Sequence, residues 1–148
     1  MKNLSKEQWT SLLKSTKFFN IFDESELDKI INCSDLLHFQ MYQYIIKANE
    51  KDLSFYVVVK GHVNVISKTN SAEEQKLITI NSGECFGEMS VITKGTRKNH
   101  IIAGSECYVV KSNVTTIDNF EMPIQLKIYK QFSVMLTKRL LMTGVSET

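Results

Sequence analysis

Two sections of the chain repeat their apolar residues with a helical period, and they flank a longer middle section whose apolar residues come in short alternating runs. Near the N-terminus Trp9, Leu12 and Leu13 share a helical face, and Ser5-Lys6-Glu7-Gln8 reads as a capping box, predicting a helix to about Ser15. Phe18, Phe19 and Phe22 form an aromatic cluster read as core. Asp23 then caps a second predicted helix, with Leu27, Ile30 and Ile31 on one face. At the other end Ser112-Asn113 caps a short helix ending near Phe120. Pro123 opens a final helix that runs to about Thr143, where Gly144 stops it. Ile124, Ile128, Phe132, Met135, Leu136 and Leu140 make one stripe along it, with Lys127, Lys130, Lys138 and Arg139 largely beside. That stripe either packs on the rest of the domain or forms a dimer seam. Tyr129 and Phe132 are candidates for stacking on a flat ligand, with core packing the preferred reading.

Between these helices the period drops to that of strands. Leu36, Phe39, Tyr44-Ile45-Ile46, Phe55 to Val59 and Val63 to Ile66 are β-branched and aromatic runs separated by polar turns. Lys60-Gly61-His62 is a tight turn, and Lys76 to Ile80 pairs back across a solvated hairpin loop from Lys68 to Lys76. His100 to Ala103 and Cys107 to Val110 supply two more strands. The pattern predicts a mainly β, α+β fold: an antiparallel jelly roll, or double-stranded β-helix, with N-terminal helices and a long C-terminal helix. We expect one domain over 1–148, with helices in 1–33, the barrel in 34–111 and helices again in 112–148.

Composition removes several function classes. The 148 residues are 43% hydrophobic and 23% charged, and a net charge of +2 gives no basic surface on the scale of a nucleic-acid partner. Cys33, Cys85 and Cys107 have neither disulfide-framework nor zinc spacing and are expected to be reduced, buried thiols in a cytoplasmic protein. No apolar run is long enough to span a bilayer, so no membrane partner is expected. His38, His62 and His100 are scattered singly, and no nucleophile with an adjacent base stands out. Neither catalysis nor a metal or cofactor is expected.

The candidate chemistry lies at Gly83-Glu84-Cys85-Phe86-Gly87-Glu88-Met89-Ser90, with Arg97 a short distance on. The two glycines bracket a segment able to turn at positive φ or to lie close against a ligand. Glu88 to Ile92 suffice for one helical turn whose free amides favour an anion, and Arg97 adds a planar fork of donors suited to two phosphate oxygens. Glu88 would repel a phosphate but accepts a sugar hydroxyl well. The bottom-up reading is a pocket for a small phosphate ester carrying a sugar.

Gly83-x-x-Phe86-Gly87-Glu88-Met89-Ser90-Val91-Ile92 followed by Gly95-x-Arg97 resembles the phosphate-binding cassette of cyclic nucleotide-binding domains. The resemblance extends to Phe55-Tyr56 and Gly61-x-Val63-x-Val65. It implies Glu88 on the ribose 2′-hydroxyl, Arg97 on the cyclic phosphate, and the amides of Gly87, Met89 and Ser90 on phosphate or ribose, with cAMP or cGMP as ligand. Phe86, Lys98 and Asn99 complete the implied ligand-binding set within 83–99. Asn49 and Tyr42 stand where the family has glycine, and Leu53 stands where an acidic residue is common. Lys98-Asn99-His100 replaces a small residue, Ala and Thr, and either crowds the phosphate or adds a second cation.

The resemblance implies a sensor that relays binding through its C-terminal helices to an effector protein or to a homodimer. A transcription factor of the family would continue into a helix-turn-helix and a channel would place spans before the domain, so output is expected through another polypeptide or self-association. The alternative keeps the fold as a protein-interaction scaffold without nucleotide. The sensor reading requires Arg97 to face the hollow around Gly87, and requires that no internal salt bridge of Glu88 fill it.

Overall fold

In the computed structural model, which describes residues 4–67 and 75–144, helices and strands fall where the patterning puts them. Helix α1, Lys6–Lys14, carries the capping box of Ser5 and Gln8, and α2, Glu24–Asn32, carries a second one made by Asp23 and Glu26. The strands are β1 (Asp35–Phe39), β2 (Tyr44–Ile46), β3 (Ser54–Lys60), β4 (His62–Ile66), β5 (Lys76–Asn81), β6 (Cys85–Phe86), β7 (His100–Ala103) and β8 (Cys107–Asn113). Helix α3, Glu88–Thr93, follows β6, and α4 (Val114–Asp118) and α5 (Met122–Met142) follow β8. Asn113 caps α4 through the Thr116 amide, and the chain turns out of α5 at Gly144, φ 86.

The strands form two four-stranded antiparallel sheets, ordered β1-β8-β3-β6 and β2-β7-β4-β5, packed as a jelly roll. Lys60-Gly61-His62 carries the chain from one sheet to the other, where a hairpin would have kept both strands in one. Residues 68–74, the bulk of the expected hairpin loop, lie outside the described residues, while the flanking strands β4 and β5 do pair.

Strand β3 organises the core because both of its faces are covered. Tyr56 and Val58 point between the sheets, meeting Ile46, Val63, Phe86, Ala103 and Val109. Phe55, Val57 and Val59 point the other way, into a second cluster with Phe18 and Phe22 from the segment between α1 and α2, Leu27 of α2, and Ile124, Ile128 and Phe132 of α5. A strand buried on both faces reads as a continuous apolar run, which Phe55-Tyr56-Val57-Val58-Val59 is.

Three expectations change. Cys33, at the end of α2, is exposed, while Cys85 and Cys107 are buried as expected. Burial pushes the Cys107 thiol up to about 11. The α5 stripe is buried only from Ile124 to Met135, and Leu140 is 54% exposed because the helix runs past the cluster it packs on. Strand β6 has only two residues, too few for any alternation to announce it.

Tyr42 and Asn49 both adopt the left-handed backbone that glycine would take, at φ 73 and 72. Pairing of the Tyr42 amide with the Ala103 carbonyl, 2.8 Å, holds that turn against β7. The Tyr42 side chain is 74% exposed, so its removal forfeits little packing. Tyr42→Gly is therefore expected to stabilise the fold by about 0.5–1 kcal/mol, relief of left-handed strain outweighing the added chain entropy. A melting temperature raised by a degree or more would show it.

Candidate functional site

Strand β6 feeds directly into the cassette. Phe86 stacks on Tyr56, with ring centroids 4.9 Å apart and planes 6° from parallel, and this anchors the segment to β3. Gly87 follows at φ 81, the N-cap of α3. A Cβ there would come 3.0 Å from Arg97 Nη1 and 3.1 Å from the Ser54 carbonyl. Glycine is thus required twice, for its backbone and for the approach of the guanidinium.

Arg97 is 4% exposed, with its guanidinium turned onto the Gly87 main chain. Its Nη1 donates to the Gly87 carbonyl at 2.7 Å and its Nη2 to the Ser54 carbonyl at 2.6 Å. The Asp52 carboxylate lies 3.3 Å from Nη2. The Arg97 main chain is also tied down, its amide to the Glu50 carbonyl and its carbonyl to the Asn49 amide. Nε of Arg97 is buried and has no hydrogen-bond partner among the described residues. An orphaned buried donor costs roughly 1–3 kcal/mol, which a ligand oxygen would recover.

Asp52 is a member of the candidate site that the sequence reading missed. Leu53 occupies a position where an acid is common, and the structure supplies a carboxylate one residue earlier. Burial opposes ionisation of Asp52, but the Ser54 amide, Arg97, Lys111 and the Tyr56 hydroxyl together hold its carboxyl below the usual range. A lowered folded-state value means that the contribution is present above the ordinary value of 3.8 and is lost as the pH falls through the folded one. Asp52→Asn is expected to lower the melting temperature at pH 6, with the gap to wild type closing as the pH drops below about 4. A gap independent of pH would refute this role. Burial, and then the Asp52 charge, push the Tyr56 phenol upward in turn.

Glu88, with its side chain 3% exposed, opens α3 and forms an ion pair through Oε1 with Arg139 of α5. The other nitrogen of Arg139 donates to the Cys85 carbonyl. The Cys85 amide donates to Met135 Sδ at 3.3 Å, and Lys138 lies 3.8 Å from Glu84. Sequence reasoning placed Arg139 beside an apolar stripe and gave it no partner. Glu88 is therefore held in an internal salt bridge, the arrangement that counts against the sensor reading.

The remaining expected residues divide between wall and surface. Ser90 is buried, Met89 and Lys98 are exposed and Asn99 is half-buried. His100 turns toward β2, where its Nδ1 accepts the Ala48 amide at 3.0 Å. Phe132 is sealed in the helix-side core with Tyr129 edge-on against it, so Phe132 is core, as preferred. No group of three or more His, Cys, Asp or Glu able to hold a metal occurs among the described residues. No helix there is long and apolar enough to cross a membrane.

A buried arginine thus lies against a glycine-opened helix with a carboxylate at that helix's first residue. A family profile described as "Cyclic nucleotide-binding domain" matches residues 36–120. The chain belongs to this family. It is 31% identical over 121 residues to human cGMP-dependent protein kinase 2, a match covering 78% of this chain and 16% of that kinase. The chain thus spans about one-sixth of the length of that relative. Among solved structures it is similar to a cyclic nucleotide-binding domain from Methylobacillus flagellatus, with TM-score 0.75, 18% identity, and 96% and 85% of the two chains covered. The regulatory domain of Toxoplasma gondii PKA with cAMP aligns at TM-score 0.72 and 22% identity, covering 86% of this chain and 49% of that one. These likenesses establish the jelly roll with its long C-terminal helix as the fold of this cyclic nucleotide-binding domain.

Proposed function

We propose that this cyclic nucleotide-binding domain is a non-enzymatic sensor of cAMP or cGMP. The observation that carries the reading is Arg97, buried against Gly87 with an unpartnered Nε donor. In this reading Arg97 and the amides of Gly87, Met89 and Ser90 take the phosphate and Glu88 takes the ribose, with Phe86, Lys98 and Asn99 around them. The kinase relatives support a protein effector, and the regulatory character of the matched domains supports sensing rather than catalysis.

The relay follows from the ties between cassette and helix. Cys85 and Glu88 are bonded to Met135 and Arg139, so a cassette drawn inward by phosphate capture moves the end of α5 with it. Self-association through α5 would use its outward residues Met122, Leu126, Val134 and Leu141, since the Ile124 to Met135 stripe is already buried.

The experiment is a thermal-shift titration of the purified chain with cAMP and cGMP. At a hundredfold excess over Kd, binding to the folded state alone adds about 2.7 kcal/mol, a rise of roughly 5–10 °C at this chain length. The competing scaffold reading draws on the internal Glu88–Arg139 pair. No shift with either nucleotide at saturating concentration would favour it.

A further inference from the structure

Lys111 is the one charged residue of β8. Cross-strand pairing sets it in a single row with Asp35 of β1, Tyr56 of β3 and Phe86 of β6, and residues in such a row share a face. Tyr56 and Phe86 point between the sheets, so Lys111 does too. Its Nζ lies 5.7 Å from the centroid of the Tyr56 ring, and the Tyr56 hydroxyl donates to Asp52 Oδ2 at 3.1 Å. Burial opposes the charge on Asp52, while the Ser54 amide, Arg97 and then Lys111 favour it. Among the described residues no carboxylate lies within ion-pair distance of Lys111. A half-buried ammonium on an interior face thus stands near a half-buried carboxylate that is already given to Arg97.

The charges show what the ammonium can do there. Arg97 and Asp52 cancel, as do Arg139 and Glu88. Glu50 and Lys98 at the rim are exposed and of opposite sign. A phosphate oxygen that takes more than Nε must draw an Nη away from a carbonyl or from Asp52. Asp52 would then be an unpaired carboxylate beside an incoming anion, which opposes capture. Lys111, a point charge on a flexible four-carbon stem, is able to follow that carboxylate. We infer that Lys111 is a positioning residue for phosphate capture: it takes over Asp52 as Arg97 turns to the anion, so that the arginine passes from an internal acid to the ligand without leaving that acid unpaired. This deepens the sensor reading and rests on it.

The test is calorimetric titration of cAMP and cGMP into wild type, Lys111→Met, Lys111→Arg, Asp52→Asn and the variant carrying both Asp52→Asn and Lys111→Met, each at a temperature where it is folded. Methionine keeps an unbranched apolar stem over Tyr56 and removes the charge. Lys111→Met is expected to weaken both nucleotides about tenfold, and Lys111→Arg to recover most of that loss. In the Asp52→Asn background the same substitution is expected to cost less than about threefold, because no carboxylate remains to be taken over. A tenfold loss in both backgrounds would show Lys111 acting on the phosphate itself, and wild-type affinity in Lys111→Met would show that it does not assist capture; either overturns the inference. Lys111→Gln replaces Lys111→Met should the latter misfold. Wild type that binds neither nucleotide overturns the sensor reading itself.

Discussion

Arg97→Ala is expected to weaken cAMP or cGMP binding by about 2–5 kcal/mol, roughly thirtyfold to a few thousandfold. The loss has two sources. The phosphate forfeits its buried cation, including the Nε donor that has no partner of its own. The carbonyls of Gly87 and Ser54, which Arg97 holds at 2.7 and 2.6 Å, are released as well, so the glycine turn that shapes the cassette loses its brace. Fold stability should also fall, by about 1–3 kcal/mol, because Asp52 is left facing an unoccupied volume. Arg97→Lys separates the two sources: it keeps the charge but lacks the fork that spans two carbonyls, and should bind between wild type and alanine. Titration of both variants at a temperature where each is folded reads the effect. An Arg97→Ala protein that binds either nucleotide as tightly as wild type would mean that the cassette is not the phosphate site.

Phe18→Ala is expected to destabilise the fold by about 3–5 kcal/mol, the range for a large aromatic removed from a sealed core. Phe18 is fully buried and packs on Phe19, Phe22, Phe55 and Phe132, with centroid distances of 4.9 to 6.4 Å. Those rings come from the segment between α1 and α2, from β3 and from α5, so one side chain joins the N-terminal helices, the barrel and the C-terminal helix. Its backbone contributes too. The Phe18 amide donates to the Gly83 carbonyl at 2.9 Å, and the Phe18 carbonyl accepts from Gln131 of α5. Urea denaturation should show a lower midpoint with an unchanged slope. A loss below about 1 kcal/mol would mean that the neighbouring rings close the cavity, contrary to their tilted and edge-on packing.

The legible part of the site was its chemistry along the chain. Gly87 is at positive φ, a helix follows it, and Arg97 returns to the glycine, all within a short stretch where spacing and residue type suffice. Asp52 and Arg139 were not legible, for different reasons. Asp52 sits one position from where a pattern would seek an acid, and only the fold of the turn before β3 brings its carboxylate to Arg97. Arg139 looked like one of several cations on a helix, and nothing in the repeat of α5 distinguishes it from Lys138. Cys33 shows the same limit, since thiol type alone could not tell a helix end facing solvent from the core.

What the sequence determined by itself is what depends on near neighbours: caps at Ser5, Asp23 and Asn113, the continuous apolar run of β3, the glycine turns, and the order of helices and strands. Period and capping act over a few residues, so the sequence carries them whole. The tertiary structure alone decided which sheet each strand joins, how far α5 stays covered, and that Glu88 meets a guanidinium 51 residues away. Such pairings depend on the angle at which α5 crosses β6. That angle is set by the packing of Phe18, Phe55, Phe132 and Met135 together rather than by any local pattern.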